Sequence, residues 1–224
     1  MDITILLYAA LLLAAYLLGS ISNSLWIGKK FYKIDIREYG SKNAGTTNML
    51  RVLGWKASLP VFALDILKGV LAVLLIRFTG LQHETESYVS VQIIFGMTAV
   101  LGHILPVFAG FKGGKGVATM AGVILAIHPN AFLIALLIFA VCLLITHYVS
   151  FSSIITALCY PIIIIVLFGK WLNTQETITL KIFSVVAMSI ILFTHRKNVG
   201  RLRKGEESKI VFRKKPSIDL PKKS

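Results

Sequence analysis

Two Gly-rich, cationic stretches carry residue types that can hold a phosphate. One runs Gly40-Ser41-Lys42-Asn43-Ala44-Gly45-Thr46-Thr47-Asn48-Met49-Leu50-Arg51, the other Gly110-Phe111-Lys112-Gly113-Gly114-Lys115-Gly116. Glycines let backbone N–H groups converge on an anion, and Lys or Arg closes the cradle. The second stretch is not a Walker A loop, because Gly116 stands where Ser or Thr would follow Gly-Lys. It precedes an apolar run starting at Val117, so its N–H groups would open a helix whose dipole favours an anion. The first stretch pairs Gly45 with the short hydrogen-bonding side chains of Ser41, Asn43, Thr46, Thr47 and Asn48, and ends on the bidentate fork of Arg51.

Further candidates lie towards the C-terminus. His195 and Asn198 share a helical side at i, i+3. Ser150, Ser152 and Ser153 open an apolar run, where one serine would cap the helix and another could reach a ligand. Asp65 and Lys68, three apart inside an apolar run, form either a functional pair or a structural one that sets helix positions. His103 either orients the following Gly/Lys loop or is a satisfied core histidine.

Several chemistries find no residues. No histidine has Asp five positions on, so the His-x4-Asp signature of many lipid acyltransferases is missing. No serine has the nucleophile-elbow setting, and no carboxylate or Cys/His cluster suggests a metal. Neither a metal nor a cofactor is expected. Cys142 and Cys159 lie in apolar runs and read as small hydrophobes.

The elements that must position these residues are membrane spans. The 224 residues are 56% hydrophobic, with a mean hydropathy of +0.77; soluble domains are roughly 45–50% apolar. Seven apolar segments occur, at about 3–27, 57–78, 88–108, 116–128, 131–147, 150–168 and 177–194. The fourth is too short to cross a ~30 Å hydrocarbon layer. The net charge is +14, but seven cations lie in 28–56, two in 112–115 and eleven in 196–224. This clustering is the positive-inside pattern and argues against nucleic acid as partner. The expectation is an all-α integral membrane protein of about seven transmembrane helices, one of them short, with the N-terminus outside and the C-terminus cytoplasmic. Both Gly-rich stretches then share the cytoplasmic face. Residues 1–204 form the membrane domain, and 205–224 a basic, flexible cytoplasmic tail drawn to anionic membrane lipid.

At these residues the chain resembles the bacterial acyl-phosphate:glycerol-3-phosphate acyltransferase family. Gly40 to Arg51 looks like its first motif, Gly102-His103 through Phe111 to Thr119 like its second, and the region of Ser150 to Ser153 like its third. Leu18-Gly19-Ser20-Ile21 and His195-Arg196-Lys197-Asn198 fit as well. The resemblance covers roughly residues 8 to 204. It implies transfer of an acyl group from acyl phosphate to the 1-hydroxyl of glycerol 3-phosphate, giving lysophosphatidate and phosphate at the bacterial inner membrane, as the first step of phospholipid synthesis. It also implies an acyl-phosphate pocket of Ser41, Asn43, Thr46, Thr47 and glycine backbone. Arg51, Lys115, His195 and Asn198 then contact glycerol 3-phosphate, with Ser150 or Ser153 helping. The substrate-binding set further takes in Gly45, Asn48, Lys112, Gly113, Gly114 and Gly116, and the catalytic set is His195, Lys115 and Arg51. The base is either His195 or the acceptor's own phosphate. Lys42 stands where the family has Gly, Thr46 where it has Ala, and the tail after Gly205 is outside the pattern. From the residues alone, a transporter or channel for a phosphorylated small molecule is the competing reading.

Overall fold

The computed structural model describes residues 3–83, 85–171 and 178–210, and ten α-helices with their short extensions account for most of these. In order they are α1 (Ile3–Ser20), α2 (Asn23–Tyr32), α3 (Thr46–Leu53), α4 (Trp55–Leu74), α5 (Glu86–Ile104), α6 (Val117–Ile127), α7 (Pro129–Thr146), α8 (Val149–Ile162), α9 (Ile178–Thr194) and α10 (Arg196–Arg203). Single 3₁₀ turns extend α4 over Leu75–Phe78 and follow α5 at Val107–Ala109, while α8 passes into a π-helical turn at Ile163–Trp171. No strand occurs among the described residues.

Among the described residues, five helical stretches are long and apolar enough to cross a membrane: Ile3–Ser20, Trp55–Phe78, Glu86–Ala109, Pro129–Thr146 and Val149–Gly169. A sixth forms if α9 and α10, bent by 59° at their junction, count as one broken span. The fourth apolar segment is α6, which at 11 residues remains short. Most of residues 169–176, between the sixth and seventh apolar segments, lies outside the described residues.

The first segment departs from expectation. The apolar segment at 3–27 is not one helix: α1 stops at Ser20 and α2 begins anew at Asn23. The break is held by a buried cation: Lys68 Nζ donates to the freed Ile21 carbonyl at 2.9 Å. α2 then turns Asn23, Ser24 and Leu25 inward and leaves Trp26 exposed, with Lys29 and Lys30 in its last turn. This pattern belongs to a helix lying along the membrane surface.

Packing is tightest where small residues meet. Gly122 of α6 lies against the Ile66 carbonyl of α4, and Gly69 of α4 against the Thr119 carbonyl of α6. Close backbone approach of this kind is how helices associate where lipid removes the hydrophobic drive. The main core joins Val100 of α5, Val123 of α6, Tyr160 of α8 and Phe183 of α9. A second cluster, with Leu25, Ile36, Met49 and Val61, seats α3 against α2 and α4.

The expected flexible tail from residue 205 does not hold for its first part. Residues 206–210 run back along the body: Glu206 N donates to Arg201 O at 2.8 Å and Ile210 N to His147 O at 2.7 Å. Glu207 is buried. Residues 211–224 lie outside the described residues.

Candidate active site at four helix N-termini

Four helices begin at one place. Gly45 before α3, Gly116 before α6, Val149 at the head of α8 and His195 before α10 all line a single cavity of about 600 Å³. Each helix start presents N–H groups without intrahelical partners and the positive end of its dipole. Arg51, Lys115, Lys197 and Arg201 add four cations to the same walls.

Local sequence explains each start. Gly116 takes φ +84°, a left-handed conformation that lets the loop turn directly into α6. At Gly114 the reason is space: a Cβ there would stand 2.1 Å from His103 Nε2. The first stretch is half loop and half helix. Its loop is pinned by Asn48, whose Oδ1 accepts from Ser41 N at 2.8 Å. Asn48 Nδ2 donates to Ile36 O at 2.9 Å and Tyr39 O at 3.0 Å. Arg37 ties this loop to the second, donating to Ala109 O at 2.9 Å.

Every residue of the expected catalytic and substrate-binding sets lines the cavity except Lys112, Gly113 and Gly114. Gly113 and Gly114 instead pack the loop onto the end of α5, where Gly114 N donates to His103 O at 3.1 Å. Lys112 is exposed beside them. Asn48 borders the cavity, but both its amide hydrogens are spent on the loop, so it shapes the site and has none to offer a ligand. Thr46 Oγ1 differs: it is buried with no hydrogen-bond partner among the described residues. Lys42 has φ +57° and faces solvent, which accounts for Gly being usual there.

The polar end is knitted together by a carboxylate. Glu207 Oε1 accepts from Asn198 Nδ2 at 2.9 Å, Ser150 Oγ at 3.1 Å and Arg51 Nη2 at 3.3 Å. Its Oε2 accepts from Arg201 Nε at 2.7 Å. Burial opposes ionisation most, yet the bonds from Arg201 and Asn198, the Arg201 charge and the Ser150 hydroxyl together hold Glu207 below the usual carboxylate range. Arg51 also donates to Ser208 O at 3.0 Å. Ser153 spends its hydroxyl hydrogen on Val149 O at 2.8 Å.

Lys115 donates to Asn198 Oδ1, and its own carbonyl accepts from Thr194 Oγ1 at 3.2 Å. Burial pushes its ammonium down to about 8, against the pull of Glu207 and with Arg201 and Arg51 adding repulsion. His195 Nδ1 lies 2.8 Å from Ile191 O. A carbonyl only accepts, so Nδ1 carries the proton and Nε2 keeps the lone pair in a neutral ring. Apolar side chains also line the cavity, among them Leu59 and Phe62 of α4 and Phe139 and Leu143 of α7. Among the described residues no His, Cys, Asp and Glu cluster could hold a metal.

The same arrangement has relatives. Residues 9–205 match the family profile described as glycerol-3-phosphate acyltransferase. A protein of that name from Listeria monocytogenes is 48% identical over 198 residues, 88% of this chain and 94% of its own. One from Enterococcus faecalis is 45% identical, covering 90% and 91%, and one from Chlorobaculum parvum 40%, covering 92% and 98%. This chain belongs to the glycerol-3-phosphate acyltransferase family. The crystal structure of PlsY (YgiH), an integral membrane glycerol 3-phosphate acyltransferase in its glycerol 3-phosphate form, superposes with a TM-score of 0.76 at 33% identity, covering 91% of this chain and 96% of that one. Its lysophosphatidic acid form superposes equally well at 34% identity, covering 90% and 94%.

Within this acyltransferase chain, sequence reasoning missed Arg201, Glu207 and the apolar walls. Arg201 had a signal: it continues the i, i+3 face of His195 and Asn198 by another three residues. Glu207 had none, being one of two adjacent glutamates in a basic stretch.

Loss of the Lys115 charge sets a pH limit. The expected result is a kcat/KM that falls as pH rises through about 8, because the free enzyme's ammonium deprotonates there and not near its ordinary value. Lys115→Arg should move that limb upward, since a guanidinium stays charged. A profile that stays level to pH 10 in the parent protein would contradict this.

Proposed function

We propose that this glycerol-3-phosphate acyltransferase uses acyl phosphate as donor and works from the cytoplasmic face of a bacterial inner membrane, in the first step of phospholipid synthesis. The observation that carries the reading is one cavity with two characters. Four helix N-termini and four cations line it together with apolar side chains of α4 and α7. Such a cavity suits an amphiphile that bears a phosphate on an acyl chain, with room for a second, water-soluble phosphate.

The chemistry needs no protein nucleophile. The acceptor's 1-hydroxyl oxygen forms a bond to the acyl carbon, and the bond from that carbon to the phosphate oxygen breaks. Phosphate leaves with the electron pair, and the hydroxyl proton passes to a base. Most of the acceleration then comes from holding two phosphates together and stabilising the charge on the acyl oxygen. In this reading Arg51, Lys115 and Asn198 hold the acceptor, with Ser150 beside them. Ser41, Asn43, Thr47 and the N–H groups at Gly45 and Thr46 hold the donor phosphate, and the buried Thr46 hydroxyl supplies a bond that Ala would lack. Lone-pair-bearing Nε2 of His195 accepts from the acceptor's 2-hydroxyl, and the acceptor's own phosphate takes the 1-hydroxyl proton. Leu59, Phe62, Phe139 and Leu143 receive the acyl chain, and Leu59 and Phe62 are exposed on the surface that lipid would cover.

The transporter reading finds no support. The polar motifs converge on one end of the helix bundle, and the relatives are acyltransferases.

Membrane vesicles test donor and sidedness together. Sealed inverted vesicles given palmitoyl phosphate and glycerol 3-phosphate should release lysophosphatidate and phosphate in equal amounts, while right-side-out vesicles stay inactive until permeabilised. Equal turnover with palmitoyl-coenzyme A and no acyl phosphate present would overturn the donor assignment. Activity in sealed right-side-out vesicles would overturn the orientation, which rests on the clustering of cations beside the loops.

A further inference from the structure

Beneath the cavity lies a group of buried side chains to which the proposed reaction gives no task. Asp65 of α4 is 2% exposed and Lys68 4%. Lys68 Nζ lies 2.9 Å from Asp65 Oδ1 and donates to Ile21 O at the break between α1 and α2. Asn23 Nδ2 of α2 donates to the same carboxylate oxygen at 2.9 Å. From α5, the buried His103 Nδ1 stands 3.7 Å away, at ion-pair distance and without a hydrogen bond. A single carboxylate oxygen thus gathers three helices and, through Lys68, the junction of a fourth.

An ion pair buried in this way is a poor means of holding helices together. Desolvation costs several kcal/mol per ion, and apolar residues of similar volume are often at least as stable. Its direction is more informative. Asp65 and His103 border the cavity, whereas Lys68 and Asn23 stand behind them. His103 is in turn the seat of the second Gly-rich loop. Its carbonyl accepts from Gly114 N at 3.1 Å, and its ring packs against the Gly114 backbone, leaving no room for a Cβ. The next residue is Lys115.

We infer that Asp65, Lys68 and Asn23 form a positioning device for the phosphate loop. Lys68 and Asn23 fix the Asp65 carboxylate, Asp65 sets the His103 ring, and the ring sets the height of the 113–116 backbone. The place of the Lys115 ammonium in the cavity follows. Small displacements matter at such a point, because misplacement by about 1 Å can cost on the order of a hundredfold in rate. The inference rests on Lys115 serving the acceptor phosphate.

Asp65→Asn combined with Lys68→Met is the test, because it removes both charges and strands neither. At saturating palmitoyl phosphate, the KM for glycerol 3-phosphate should rise about fivefold to twentyfold, with kcat within about twofold of the parent. A purely structural pair would lower thermal stability and the yield of active protein, and leave the KM of the folded fraction alone. His103→Phe is the second variant: it keeps a ring against Gly114 but loses Nδ1, and should raise the same KM about threefold or more. Unchanged KM values in these folded variants, beside a raised KM in Lys115→Ala, overturn the inference alone. An unchanged KM in Lys115→Ala overturns the acceptor assignment, and the inference with it.

Discussion

Arg51→Ala and Lys115→Ala should each lower kcat/KM for glycerol 3-phosphate between about tenfold and over a hundredfold. That is the loss of roughly 1.5–3 kcal/mol for a charge-assisted contact to a bound phosphate. Both residues reach the cavity from elements fixed by other bonds: Arg51 from α3, Lys115 from a loop held by Thr194 Oγ1 at 3.2 Å. Arg51→Lys should be nearly as damaging as Arg51→Ala. The guanidinium already bridges Glu207 and Ser208 from Nη2, and a single ammonium cannot hold that bridge while also facing a phosphate. Lys42→Ala is the control, because Lys42 is exposed and outside the cavity; its effect should stay within about twofold. The measurement is initial rate against acceptor concentration on detergent-purified protein of matched thermal stability. Near-parent kcat/KM in both alanine variants would reduce the two Gly-rich stretches to loops whose cations only set topology.

How much of this was legible depended on how local the cause was. Gly116, Thr46 and Arg51 could be read directly, because a glycine at a helix start and a cation one turn on have the same meaning wherever the fold places them. The apolar segments could be read for the same reason, as hydropathy needs no tertiary partner. The break at Ile21 could not. Ser20, Ser22, Asn23 and Ser24 hint at an interruption, but the freed carbonyl finds its partner in Lys68, 47 residues away. Asn48 reads as a ligand donor until its amide is seen bonded to Ile36 and Tyr39. Gly113 and Gly114 read as a phosphate cradle, yet their missing side chains make room for the end of α5. In each case composition was right and the partner was missing.

Glu207 shows the limit most clearly, and carries the second large effect. In sequence it sits in Lys204-Gly205-Glu206-Glu207-Ser208-Lys209, a stretch with every mark of a solvated tail. In the fold it is buried among Arg51, Ser150, Asn198 and Arg201. Removing it leaves Arg51, Arg201 and Lys115 facing one another with no anion between them. Breaking a buried pair from one side costs about 3–5 kcal/mol, so Glu207→Ala should sharply lower thermal stability in detergent and abolish most activity. Truncation after Lys204 should match it, because both remove the same carboxylate. Glu207→Gln keeps an acceptor for Asn198 and Ser150 but no charge, and should fall between. Ligand supplies the discriminating readout. A phosphate dianion brings the missing negative charge, and anything that binds only the folded state stabilises it. Glycerol 3-phosphate should therefore raise the melting temperature of Glu207→Ala by more than that of the parent. Parent-like stability and kcat/KM in Glu207→Ala would show that the four surrounding groups hold their places without it. The polar end of the cavity would then owe its shape to the helix starts alone.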